Sequence, residues 1–266
     1  MTVIAGRVGL RLATLLALLF LYIPIAVIAL YAFNADRAQT WPIQHFTADW
    51  FGTALADRDL TDALILSLQV GFAATLIAIV LGSLAALAIH RFAFFGRDSI
   101  SFLFVLPIAL PGIVTGMALN STINASGIGF TAFTIAVGHA TFCIVVVFNN
   151  VIARLRRSSR TIEEASMDLG ADALQTFRYV TFPVIRTALL AGGLLAFALS
   201  FDEIVVTNFT AGTEQTLPIW ILSHLLRAQQ RPIVNVVALF VIVVSLVPVY
   251  IAQRMNSDTS GITAGQ

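Results

Sequence analysis

The first two of several runs in this chain that carry no charge over more than twenty residues are Leu12 to Phe33 and Ala63 to Ile89. Such runs are long enough to cross a bilayer, where every backbone donor and acceptor must find its partner inside the protein. From Ser99 to Leu155 the only ionisable side chains are His139, Cys143 and Arg154. The middle of that stretch, Asn120 to Gly129, is small and polar, so it is expected to separate two further spans. Charged residues make up 11% of the chain and apolar residues 58%, against about 25% charged in soluble domains. With a mean hydropathy of +0.91, the chain is expected to be an all-α polytopic membrane protein with six transmembrane helices. The expected spans are 12–33, 63–89, 99–119, 130–153, 187–209 and 232–253, forming one domain over 1–256. Residues 257–266 are expected to be a disordered cytoplasmic tail.

The basic residues orient the spans. All fifteen are arginine. With the N-terminus inside, eleven of them fall on the cytoplasmic side: Arg7, Arg11, Arg91, Arg97, the six between 154 and 186, and Arg254. Only Arg37, Arg58, Arg227 and Arg231 face out, so the positive-inside rule places both termini and the loop 154–186 in the cytoplasm. Arg7 and Arg11 precede the first run as in a secretory signal. The run exceeds the usual signal core, so an uncleaved anchor is expected. In the outer loop 34–61, Trp41, Trp50 and Phe51 suit an aromatic belt at the headgroup level.

Several chemistries are excluded or unsupported. A phosphate-binding Walker loop needs a lysine, and the chain has none. Any ATP that drives it must therefore bind another subunit. Cys143 has no second cysteine to pair with and suits packing. His45, His90, His139 and His224 show no metal-ligand spacing, and no nucleophile–base set stands out. A net charge of +1 gives no pull towards nucleic acid. Pro107 and Pro111, with Gly112 and Gly116, point to a kinked, closely packed third span, serving either as a hinge or as plain packing. Asn149 and Asn150 suit helix–helix hydrogen bonds.

The polar stretch from Glu163 to Pro183 follows the basic run Arg154 to Arg160. Thr161 and Glu164 have capping-box spacing, and Ile162, Ala165 and Leu169 share one helical face. Gly170 either ends this helix or lets a partner backbone approach. Pro183 is expected to break the path into the fifth span. An amphipathic helix here either docks on a partner or lies on the inner membrane surface. The segment resembles the signature loop of permease subunits of binding-protein-dependent ATP-binding cassette (ABC) importers. That loop reads Glu-Ala-Ala, three residues, Gly, nine residues, Ile, one residue, Leu-Pro. Glu164, Ala165, Ser166, Gly170 and Pro183 fall at the matching places, with Ser166, Val180 and Phe182 as conservative departures. The resemblance covers roughly residues 60 to 255. It implies a type I ABC importer permease fold and a coupling helix that docks on a separate ATP-hydrolysing subunit.

Asp202 and Glu203 interrupt the fifth span. At about 1.5 Å per residue, Glu203 would lie roughly 24 Å along a continuous helix starting at Thr187. Ionisable groups at that depth usually face a cavity. On such a helix Glu203 shares a small polar stripe with Ala196, Ser200, Thr207 and Thr210, as a water-filled pathway would have. Asp202 is expected to pair elsewhere. With Phe201 and Phe209 nearby, an acidic site suits a cationic solute. The stretches 197–212, 216–222 and 232–238 resemble the second permease of spermidine/putrescine transporters.

That resemblance implies import of a small organic solute into the cytoplasm, with a polyamine as the leading substrate. 4-Aminobutyrate, an opine or another amino-acid-like solute is the alternative. It implies two ATP-binding cassette subunits, a second and different permease, and a periplasmic solute-binding protein as partners. The chain would sit in the bacterial inner membrane. It would itself be no enzyme and hold no cofactor, ATP and Mg being bound by the ATPase. The contrasting class is an ion-coupled secondary transporter, in which Glu203 would bind the coupling ion.

Overall fold

The computed structural model describes residues 2–227 and 231–260. Helices dominate, and the one β-bridge among the described residues joins Asn34 to Phe46. The chain forms two compact units, Met1–Leu60 with Ile221–Gln266, and Thr61–Trp220.

In the first unit, α1 (Thr2–Tyr31) packs on α12 (Arg231–Ser260), and α2 (Asp49–Ala56) packs on α12. No residue in the most apolar stretch of α1 is fully buried, as suits a helix with a lipid-facing side. Ala32, Ala54 and Val236 form a small core, flanked by Trp50, Phe51, Leu60, Ile233 and Leu239. Trp50 donates its indole N–H to Asn34 O at 2.9 Å, and the Arg37 guanidinium lies 5.5 Å from its ring. Trp50 and Phe51 therefore pack within the segment 34–60, and only Trp41 of the three expected belt residues is largely exposed. The Ala38 N–H and the Thr40 hydroxyl both donate to Asp36. They hold its carboxyl below the ordinary aspartate range. α12 continues to Ser260, just ahead of Gly261. Residues 257–260, expected in a disordered tail, are thus helical, and 261–266 lie outside the described residues.

The second unit is built around α6 (Ala132–Arg157), the most buried of the long apolar helices. Ala74, Ala78, Gly82 and Ala86, four residues apart on α3 (Arg58–Arg91), are all buried. Side chains at i and i+4 share a face, so these small residues form a flat ridge that brings two helix backbones close. A Cβ on Gly82 would lie 2.9 Å from Ile144 O and 3.1 Å from Val147 Cβ, both on α6. Cys143, Val147, Phe148, Val151, Ile152 and Leu155 of α6 complete this core, together with Ile185 and Ala196. Cys143 Sγ also contacts Ala196 O at 3.3 Å. At the end of the unit, Leu217 and Trp220 of α11 (Leu217–Leu225) are buried as well.

Four helices are long and apolar enough to cross a membrane among the described residues: 9–31 of α1, α3, α6 and the continuous helix Ala173–Phe201. The third expected span is two helices, α4 (Arg97–Ala109) and α5 (Gly112–Ser126). Leu110 is extended because the residue before a proline is pushed out of helical geometry, and Pro111 then starts the next helix. Pro107 sits inside the last turns of α4 instead of ending it. Residues 120–126, expected in a loop, are the last turns of α5.

Gly82→Val is expected to force α3 off α6, because the obstructing atom is backbone. Such overpacking costs about 1–3 kcal/mol and should lower the Tm of the detergent-purified protein. Gly9 is the control, since a Cβ there would have nothing within 4 Å: Gly9→Val should melt like the parent.

Candidate functional site

The loop after α6 folds into a short helix, a turn and a second helix start. α7 (Arg160–Asp168) is capped by Ser159, whose Oγ accepts from Thr161 N. The expected Thr161–Glu164 capping box is not formed. Ser159 precedes the helix by one residue, so Thr161 is already inside it. Glu164 instead pairs with Arg160 at 3.3 Å, on the open surface, where such a pair contributes little. The acid that holds the segment is its neighbour. Glu163 pairs with Arg91, at the end of α3, at 3.1 Å, and accepts from Thr181 Oγ1 at 2.6 Å. Arg91 also donates to Thr181 at 3.1 Å. These three side chains close a triangle tying α7 to α3 and to the helix leading into the fifth span.

Gly170 ends α7. Its φ is +91°, a left-handed conformation that costs glycine little. Gly170 N bonds to Met167 O and Ala171 N to Ser166 O, the paired closure typical of a glycine-terminated helix. Asp172 and Gln175 then cap α8 (Ala173–Thr176) reciprocally, and Ser166 Oγ lies 3.2 Å from the buried Thr176 Oγ1. Pro183 does not break the path. A wide turn, Phe177–Thr181, with Phe182 N bonded to Phe177 O five residues back, leads directly into α9 (Phe182–Phe201). The wide turn gives the proline ring room that a regular α turn would deny it. Of the expected coupling residues, Glu164, Ala165, Gly170 and Pro183 are exposed and Ser166 is half-buried. Ile162, Met167, Leu169 and Leu174 stand exposed around them, Leu169 at 90%.

The fifth span is broken where its two acids lie. α9 ends at Phe201, and α10 (Val205–Thr210) begins after a three-residue gap. No glycine or proline causes this. The run Ile204, Val205, Val206 and Thr207 is β-branched and a weak helix former, and Glu203 Oε1 caps the new helix by accepting from Val206 N at 2.9 Å. Asp202 is exposed and Glu203 half-buried. Phe201 stacks on Phe197 at 5.9 Å.

Ser200 and Thr207 do not line open space, contrary to the expected pathway stripe. Both are buried, with Ala196 and Thr210, and both meet His139 of α6. His139 Nδ1 lies 2.8 Å from Ser200 Oγ, and Nε2 lies 2.8 Å from Thr207 Oγ1. The polar stripe is a helix–helix seam, the commoner use of small polar residues inside membranes. Ser200 and Thr207 lie seven residues apart on one stripe, but that spacing suits a seam and a pathway equally, and it is His139 that makes it a seam. On its other side α10 is lodged in α5. A Cβ on Gly116 would collide with the ring of Phe209, and Asn120 Nδ2 donates to Phe209 O at 2.7 Å. No group of three or more His, Cys, Asp or Glu among the described residues could hold a metal ion.

Glu163→Ala is expected to open the triangle and speed amide exchange over 160–181 about tenfold, as a lost charge-assisted hydrogen bond would. Glu164→Ala should leave that exchange unchanged. Exchange mass spectrometry of the purified protein compares the two.

Residues 78–260 match the family model described as binding-protein-dependent transport system inner membrane component. The chain is 35% identical to the putrescine transport system permease protein PotI of Escherichia coli K12, across 86% of this chain and 83% of that one. It is 32% identical to the spermidine/putrescine transport system permease protein PotC of the same strain, across 92% of each. In fold it resembles the crystal structure of a bacterial ABC transporter involved in the import of the acidic polysaccharide alginate. The TM-score is 0.75 at 18% identity, over 94% of this chain and 96% of that one. With a type I permease fold and a family match over most of its length, the chain belongs to the binding-protein-dependent transport system inner membrane components.

Proposed function

We propose that this chain is one of two membrane-spanning permease subunits of an ATP-driven importer that carries a polyamine, of the putrescine or spermidine class, into the cytoplasm. Its segment 154–186 docks on a separate ATP-hydrolysing subunit, which binds ATP and Mg. A different second permease, a second ATPase subunit and a periplasmic solute-binding protein complete the assembly, with both termini of this chain in the cytoplasm.

The observation that carries the substrate class is the broken fifth span. It places a half-buried carboxylate, Glu203, and an exposed one, Asp202, on an unwound stretch between two helices. Unwound segments of membrane helices are common ion and solute sites, because they lend backbone carbonyls as well as side chains. Glu203 uses Oε1 as a helix cap and keeps Oε2 for a cationic group. The substrates for which PotI and PotC are named, both amines, agree with that chemistry. The exposed apolar face of α7 and α8, at Ile162, Met167, Leu169 and Leu174, supports docking. Eleven of fifteen arginines on one side support the orientation.

Two outcomes are expected in proteoliposomes holding the full transporter and its binding protein. Glu203→Gln should lower uptake of radiolabelled putrescine about tenfold, the size of one lost charge-assisted contact. The assembly and its basal ATP hydrolysis should remain. Unchanged uptake would remove Glu203 from the pathway, and uptake of an amino-acid-like solute in place of either polyamine would replace the substrate class. Leu169→Asp, at a position with no packing to lose, should sever uptake from ATP hydrolysis while the permease pair still assembles.

A further inference from the structure

We propose that His139 is a positioning residue for transport: it holds the broken fifth span in the geometry that presents Glu203 to the solute. This rests on the reading of Glu203 as a pathway residue. His139 lies on α6 and is 1% exposed. It touches the last turn of α9 through Ser200 and the first turn of α10 through Thr207, at 2.8 Å each. One imidazole thus spans the gap at residues 202–204.

The protons in this bridge can be counted. Thr207 has a single hydroxyl proton, and it goes to Glu203 O at 2.7 Å. Thr207 Oγ1 can then only accept from the ring, so His139 Nε2 carries the hydrogen. The neutral ring leaves Nδ1 to accept from the Ser200 hydroxyl. The result is one directed chain: Ser200 O–H to His139, His139 N–H to Thr207, and Thr207 O–H to the backbone carbonyl of Glu203. The same residue is held a second time, by its own carboxylate on Val206 N. Backbone support across the gap is weak by comparison, with Glu203 N 3.5 Å from Ser200 O. His139 is therefore the link that sets α9 against α10, and α10 is itself lodged in α5 through Phe209 and Gly116. With both the carbonyl and Oε1 of Glu203 committed, Oε2 has a fixed direction.

The test uses the complete transporter in proteoliposomes and compares His139→Gln, His139→Leu, Glu203→Gln and the double variant His139→Leu/Glu203→Gln. A Gln amide offers a donor nitrogen and an acceptor oxygen at about the spacing of the ring nitrogens, whereas Leu only fills volume. His139→Leu is expected to lower putrescine uptake about tenfold and His139→Gln to restore it to within about threefold of the parent. The double variant should be no worse than the worse single one, as for two groups acting as one unit. Amide exchange at 203–207 should rise in the Leu variant and return in the Gln variant. If Glu203→Gln is impaired but His139→Leu transports normally, or the two losses add, the positioning role is overturned while the pathway reading stands. If Gln fails as badly as Leu, the hydrogen-bond chain is not the cause and the proposal is overturned. Normal uptake by Glu203→Gln overturns the pathway reading itself. Should His139→Leu not reach the membrane, Thr207→Val cuts one link with little change of volume. Normal uptake and normal exchange in that variant would equally overturn the proposal.

Discussion

Inside a bilayer a backbone N–H or C=O left without a partner costs several kcal/mol, and that constraint organises the second unit. Where the chain is helical the requirement is met locally. Where helices break, side chains take over. At Leu110–Pro111 the proline removes its own donor. At 202–204 the Glu203 carboxylate takes Val206 N. The other end of α10 is closed by Asn120 on Phe209 O and by Thr134 on Thr210 O. A six-residue helix is too short to be stable alone, and this one is held by neighbours at both ends.

Close packing supplies what polar contacts do not. Lipid tails are as apolar as leucine, so helices in a membrane gain from fit instead of from escaping water. The small-residue ridge of α3 lets α6 approach, Gly192 lets α9 approach the α6 backbone at Val147, and Gly116 receives the ring of Phe209. α6 is therefore touched along its length by α3, α9 and α10. It also carries His139 near its start and Leu155, buried at 2%, near its end.

Much of this is legible in the sequence, and what is not has a common cause. Uncharged runs mark the long helices because burial in lipid demands them. The loop spacing of Glu164, Gly170 and Pro183 marks the segment that carries α7, and Gly170 does terminate α7. The break at 202–204 is not legible as a break, since it lacks glycine and proline and depends on a carboxylate cap and a β-branched run. Ser200 and Thr207 do share one stripe, but polarity alone does not say whether a stripe faces water or another helix. Only the position of His139, sixty-one residues from Ser200 in the chain, decides that. Glu163 does not stand out from Glu164 for the same reason: its partners, Arg91 and Thr181, are remote in sequence.

The two side-chain clusters sit at opposite ends of one helix. Thr181, in the triangle with Glu163 and Arg91, immediately precedes α9, and Ser200, in the bridge to His139, lies next to its last residue. The 20 residues of α9 span about 30 Å at 1.5 Å per residue, and its packing on α6 leaves it little freedom to bend. A displacement of α7 must then either move α9 as a rod, carrying Ser200 with it, or break the triangle. A rod motion strains the His139 bridge directly, because the far side of that bridge is fixed in α10. The hydrogen-bonded gap at 202–204 is where such a displacement can be absorbed, and it is also where the carboxylates are.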